Sequence, residues 1–181
     1  SIPLVLELNN DADISAFKRS LQSIVERHEV LRTVFKQKDD GSYYQKILSE
    51  LLDINVKEIM SDELNDKLNE DINVIFHLQN EYPVKVSIYR VQNKYYSTVI
   101  FHHIAFDGWS ADIFLRELNA FYSHYANNTE LSLPKLDVHY KDFAVWQKNY
   151  LSGEVLDNQV SYWKNRLEGY EALNFPIDKT R

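Results

Sequence analysis

Two adjacent histidines, His102 and His103, open the one segment of this sequence whose residue types suit chemistry: His102-His103-Ile104-Ala105-Phe106-Asp107-Gly108. Histidine titrates near neutral pH and suits proton transfer. Asp107 lies four residues after His103. In a tight loop its carboxylate could orient an imidazole, or it could anchor the loop to an arginine. Gly108 frees the backbone to turn and to bring an N–H close to a ligand. Side chains adjacent in a strand point to opposite faces, so the two histidines would not converge on one metal ion, and no third ligand stands out. On residue type alone, such a pair at a strand end is more often structural than catalytic. No nucleophilic serine or cysteine elbow, phosphate-binding glycine loop or glycosidase-like carboxylate pair accompanies it.

The segment needs a strand before it and a helix after it, and the patterning supplies both. Residues 95–102 carry the apolar run Val99-Ile100-Phe101, expected to be buried on both faces. From about Trp109 to Tyr125, Phe114, Leu118, Phe121 and Tyr125 form a helical stripe. This strand-to-helix junction is a common place for functional groups in α/β folds. Upstream, residues 2–8 alternate as a strand. Asp13 then reads as the cap of a helix whose core face is Ile14, Phe17, Leu21 and Ile24, running to about His28. Residues 31–37 and 43–48 read as strands around Asp39-Asp40-Gly41. Ser61 can cap a short helix with Leu64, Leu68 and Ile72. Val84, Val86 and Ile88 mark another strand, followed by the turn Gln92-Asn93-Lys94. Two helical patterns, about 140–151 and 154–168, and an extended tail at 173–176 complete the order. The fold class is α/β, an α+β two-layer sandwich with a largely antiparallel sheet and packed helices.

Composition narrows the functional classes. The 181 residues allow one domain or one large lobe. A net charge of −7 disfavours nucleic acid as a partner. Cysteine is absent, which removes disulfides, thiol nucleophiles and cysteine-based zinc sites, and fits a cytoplasmic protein. No apolar run approaches the roughly 18–20 residues of a membrane span. The chain opens directly on an apolar strand, as a piece of a longer polypeptide or a processed chain would.

The motifs resemble a known family. His102 to Ser110 (HHIAFDGWS) resembles the HHxxxDGWS signature of condensation domains in nonribosomal peptide synthetases. Arg27 to Phe35 resembles that family's RHExLRTxF segment. Tyr140 to Trp146 resembles YxDFAxW, and Gln159 to Gly169, with Tyr162, Trp163 and Leu167, resembles QxxYWxxxLxG. Pro176, Asp178 and Arg181 resemble the LPxDxxR close. These motifs, in order, span nearly the whole chain.

The resemblance implies two lobes, each like a chloramphenicol acetyltransferase, with a catalytic tunnel between them. Residues 1–181 correspond to the N-terminal lobe. The family's first motif and its C-terminal lobe would lie outside the chain, and the fragment alone is expected to be inactive. The implied activity is peptide-bond formation between aminoacyl or peptidyl thioesters. These arrive on the phosphopantetheine arms of donor and acceptor carrier proteins, with an adenylation domain adjacent and no directly bound cofactor or metal. His103 is assigned to the tunnel, hydrogen-bonding the attacking amine as a base or as a positioning group. Asp107 is assigned to the site through an arginine, Arg27 or Arg32. Gly108 is assigned to the turn, with its N–H as an oxyanion donor. His102 and Trp109 support the site structurally. Tyr140, Phe143, Trp146, Tyr162, Trp163 and Leu167 read as packing residues. Heterocyclising relatives carry aspartates in place of the two histidines, which this chain keeps. Two other readings share the fold: a non-catalytic module that binds carrier proteins or recruits an oxygenase, and a stand-alone acyltransferase using coenzyme A esters.

Overall fold

A computed structural model of the chain describes residues 1–171. These divide into two compact units, one over residues 1–139 and one beginning at Tyr140. The extended tail expected at 173–176 and the motif positions 176, 178 and 181 lie outside the described residues.

In the first unit the order is β1 (Ile2–Leu8), α1 (Ile14–Arg27), a 3-10 turn (Glu29–Arg32), β2 (Thr33–Gln37), β3 (Tyr43–Ile47), β4 (Val56–Glu58), α2 (Leu64–Ile72), β5 (Val84–Val91), β6 (Lys94–Phe101) and α3 (Gly108–Asn127). The main sheet runs β1-β6-β5-β4, with β2 and β3 forming a separate hairpin. β6 pairs antiparallel with both β1 and β5, while the short β4, which the sequence did not reveal, pairs parallel with β5. The largely antiparallel sheet with packed helices therefore stands.

Side-chain alternation assigns the two faces of this sheet. Val84, Val86 and Ile88 of β5 and Val99 and Phe101 of β6 point into the core against Phe17, Leu21 and Ile24 of α1 and Phe114, Leu118 and Phe121 of α3. Ile2, Leu4, Leu6 and Leu8 of β1 flank that core. The other face carries Ser87 and Tyr89 of β5 and Thr98 of β6. Their three hydroxyls donate to the Asp71 carboxylate at 3.2, 2.9 and 2.5 Å, fastening the end of α2 to the sheet. Burial pushes the Tyr89 phenol up to about 12, so it stays a donor. Both faces of β6 are thus covered, which accounts for its unbroken apolar run.

Local signals set the helix ends. The Asp13 side chain accepts the Ala16 N–H at 2.9 Å and starts α1. The cap position of α2 is Glu63 rather than Ser61, and the Glu63 carboxylate reaches back to the Met60 N–H. The β5–β6 turn needs a left-handed residue, which Gln92 supplies with φ 54°.

A buried charge cluster joins α1 to α3. The Glu117 carboxylate, 4% exposed, accepts from Arg27 Nε at 3.2 Å and meets His28 Nε2 at 2.6 Å. Arg27 also donates to the Pro134 carbonyl.

The second unit holds α4 (Tyr140–Tyr150) and α5 (Gly153–Arg166). Tyr140, Phe143, Trp146 and Tyr150 follow one another along α4 with ring centroids 5.9, 5.6 and 5.2 Å apart, the first two pairs tilted and the last stacked. Neither helix contains a buried residue, so Tyr162, Trp163 and Leu167 are exposed rather than core. Their apolar character suggested packing, but an apolar face becomes core only where something covers it.

Removing one member of a buried ion pair strands its partner. Glu117→Ala is expected to cost ~3 kcal/mol of stability, with Glu117→Gln losing less because it keeps the volume and an acceptor. Urea unfolding followed by circular dichroism checks the order of the two variants.

Candidate active site

The catalytic-type segment is a clamped turn between β6 and α3. β6 ends at Phe101, whose ring stacks on Phe106 at 3.8 Å with the planes 8° apart. Phe114 meets both rings edge-on, at 5.2 and 6.1 Å. These contacts pull both ends of the turn into the core. The His102 N–H extends the sheet ladder to the Pro83 carbonyl at 2.8 Å, and the Ala105 N–H closes the turn on the His102 carbonyl at 3.0 Å.

The two histidines therefore lie just beyond the strand, and the turn rather than strand alternation separates them. His102 is half-buried, with its ring edge-on to Phe76 at 5.5 Å. Its Nδ1 accepts the Ile104 N–H at 3.0 Å, so the neutral ring carries its proton on Nε2. Burial holds its pKa below the usual histidine value, with His103 adding to the effect. His103 is exposed and takes the opposite tautomer. Its Nδ1–H donates to the Phe106 carbonyl at 2.8 Å. A carbonyl can only accept, so the neutral ring presents a lone pair at Nε2. Both Nδ1 atoms are committed to the backbone.

Asp107 corrects the arginine-anchor expectation. It caps α3: its carboxylate accepts from the Ser110 N–H at 2.9 Å and the Ser110 hydroxyl at 2.7 Å, and that hydroxyl also meets the Asp107 N–H at 3.2 Å. Those hydrogen bonds, the Ser110 hydroxyl first, hold the Asp107 carboxyl below its ordinary pKa, with His103 adding a smaller pull. The two arginines are engaged elsewhere. Arg27 serves Glu117, and Arg32 donates to the Leu48 carbonyl at 2.7 Å and lies 3.9 Å from Glu29. A free helix end supplies donors closer to Asp107 than any arginine among the described residues does.

Two further assignments change. Trp109, 84% exposed, projects from the first turn of α3 and supports nothing among the described residues. Gly108 does not use left-handed freedom: it is the first helical residue, its φ is not positive, and a Cβ built on it meets nothing within 4 Å. The structure adds residues that the motif reading passed over. Ser110 was visible as the third helical position after an aspartate cap. Phe106 looked like a variable motif position, yet it is the clamp. Glu117 is hidden beside the apolar stripe of α3, and nothing local marks it.

An imidazole with a free, oriented Nε2 lone pair can accept an N–H or take a proton. The Gly108 N–H, at the positive end of α3, finds no acceptor among the described residues. That combination suits a reaction in which a neutral amine attacks a carbonyl.

Comparison with known proteins identifies the family. A profile of the Condensation domain family matches residues 1–181, and the chain belongs to that family. It is 34% identical over 189 residues to the nonribosomal peptide synthetase TES of Alternaria alternata, covering 99% of this chain and 4% of that protein. It is 35% identical over 185 residues to N-(5-amino-5-carboxypentanoyl)-L-cysteinyl-D-valine synthase of Amycolatopsis lactamdurans, covering 100% of this chain and 5% of that protein. Among solved structures it resembles the X-domain in complex with OxyB from teicoplanin biosynthesis, with a TM-score of 0.87 and 25% identity over 99% of this chain and 41% of that one. The epimerization domain from the third module of tyrocidine synthetase B shares the fold, with a TM-score of 0.83 and 24% identity, again over 99% of this chain and 42% of that one. The chain thus spans a few per cent of the synthetases it matches and about two fifths of the matching structures.

A carboxylate whose folded-state pKa is depressed stabilises the fold above its unfolded pKa of about 4 and loses that contribution as pH falls through the folded value. Asp107→Ala is expected to unfold at lower urea than the parent at neutral pH. The two midpoints should converge as the pH drops below about 4. A gap that persists undiminished in acid would mean that the carboxylate's charge has no part in the cap.

Proposed function

We propose that residues 1–181 form the N-terminal catalytic lobe of a nonribosomal peptide synthetase condensation domain. With the remainder of that domain, the chain joins a donor aminoacyl or peptidyl thioester to the amine of an acceptor aminoacyl thioester. The observation that carries this reading is the Nδ1–H bond of His103 to the Phe106 carbonyl, which leaves Nε2 as an exposed, oriented base.

The chemistry asks little of that base. An α-amine has a pKa near ~8, so an appreciable fraction is already nucleophilic at neutral pH. The amine nitrogen bonds to the thioester carbonyl carbon, and the carbonyl oxygen becomes an oxyanion for which the Gly108 N–H is placed as a donor. His103 Nε2 orients the amine, accepts the ammonium proton and returns it to the departing thiolate as the C–S bond breaks. Positioning and oxyanion stabilisation supply most of the effect. Asp107 contributes by holding the start of α3, and so Gly108, in place.

The substrates in this reading ride on phosphopantetheine arms of donor and acceptor carrier proteins, with an adenylation domain beside them, in the cytoplasm. Among the described residues no helix is long and apolar enough to cross a membrane. One second reading has an observation behind it: the likeness to an X-domain in complex with OxyB fits a module that binds a partner without condensing anything.

The decisive experiment uses the complete domain with loaded carrier proteins. His103→Ala is expected to lower single-turnover amide formation on the order of 10²-fold while leaving thermal unfolding unchanged. Undiminished turnover would remove His103 from the reaction, and carrier binding without turnover in the parent protein would favour the recruiting module. Gly108→Ala is expected to leave stability intact, since no strain or clash opposes the added methyl, and to slow turnover by filling the space beside the oxyanion donor.

A further inference from the structure

The outer edge of β5 is only half used. Its pairing with β4 covers Ile88 to Arg90, where the Ile88 N–H reaches the Asn55 carbonyl and the Arg90 carbonyl accepts the Ile59 N–H. Outward backbone groups recur every second residue. Val86 and Val84 therefore also turn their N–H and C=O groups outward, and these meet no backbone partner among the described residues. The chain before Asn55 diverges from β5 and leaves a slot of about 680 Å³ between Leu48–Asp53 and Val84–Ser87. That falls within the roughly 300–1,000 Å³ typical of ligand sites. Leu52, Val74 and Ile100 contribute apolar wall.

Two features orient an occupant. Asp71 lies at the Ser87 end, and Asp53, Glu50 and Glu81 also line the slot. Asp53 and Asp71 form no salt bridge among the described residues and keep lone pairs beyond the Asn55 amide and the three hydroxyls they already accept, whereas Lys85 is taken by Glu81 at 2.9 Å. At the other end, Val84 lies opposite Phe101, and the Pro83 carbonyl holds the His102 N–H. The slot therefore runs from the Asp71 carboxylate beside Ser87 toward the histidine turn.

We infer that this edge binds the peptidyl part of the donor thioester as an added strand, antiparallel to β5. The inference rests on the condensation reading and names how its donor is held. A donor residue opposite Val86 exchanges both main-chain hydrogen bonds with it. The donor's free amino terminus lies toward Asp53 and Asp71, and its thioester end lies toward His103. An added strand sits two strand spacings, about 10 Å, from β6, a span that about three extended residues cover. Charge separates this occupant from the alternative of the pantetheine arm, whose phosphate the carboxylates repel. Main-chain pairing reads backbone rather than side chains, so one slot accepts peptides of different sequence.

The test uses a tetra-alanyl chain with a free amine, joined to aminopantetheine through a stable amide, and the intact condensation domain. Binding is expected to slow hydrogen exchange at the Val84 and Val86 amides. N-methylating the alanine that faces Val86 should weaken binding about tenfold, the loss of one main-chain hydrogen bond with its geometry. Asp53→Asn should weaken the free-amine probe and leave its N-acetylated form unchanged. Unchanged exchange at Val84 and Val86, equal binding of the N-methylated probe, pairing of a second protein copy at this edge, or no binding at millimolar probe would each overturn the inference. Failure of the catalytic reading looks different, because His103→Ala then keeps its turnover whatever the probe does at β5.

Discussion

The stacked rings of Phe101 and Phe106 determine whether this site exists. They are the last residue of one strand and the residue before a helix cap, and their contact converts the intervening chain into a closed turn. Every polar feature of the site depends on that closure. The Phe106 carbonyl reaches His103 only because the Phe106 ring is buried. The α3 N-terminus begins at Gly108 only because Asp107 emerges from the turn ready to cap it. Aromatic stacking is worth a modest ~0.5–1.5 kcal/mol beyond burial, yet burial of two rings adds several times that.

Two carboxylates hold the layers on either side of the sheet. Glu117 ties α3 to α1 through Arg27 and His28, and Asp71 ties α2 to the back of the sheet through three hydroxyls. Each arrangement meets the need of a carboxylate removed from water, one with cationic partners and one with neutral donors. The difference has a geometric result. The charged cluster pins the C-terminal end of α1 to the middle of α3, whereas the hydroxyl cradle pins the end of α2 to a face of the sheet and leaves the neighbouring edge of β5 open.

Much of the fold was legible because local patterns and tertiary burial agree. The Ile14–Phe17–Leu21–Ile24 stripe, the Asp13 cap and the unbroken run at Val99–Phe101 all emerged as read. β4 escaped because three exposed residues paired at a sheet edge carry no alternation. The site was legible in its residues and less so in their connections. The motif named His103 and Asp107, but the partner of Asp107 is a helix end, which sequence separation along a presumed loop conceals. The arginines seemed apt because charge suggested pairing. Glu117, invisible to any motif, claims one of them. Exposed Trp109, Tyr162 and Trp163 show the remaining limit, since aromatic character predicts burial only when a covering surface is present.

The two ends of the aromatic clamp are only five residues apart. Closing so short a loop takes on the order of 10–100 ns and costs little chain entropy. The imidazole geometry is therefore a local product of the strand–turn–helix segment, formed once that segment docks on the sheet. Because the ordering is completed during folding, none of it is charged against substrate binding. The turn can serve as a finished half-template against which a second surface closes.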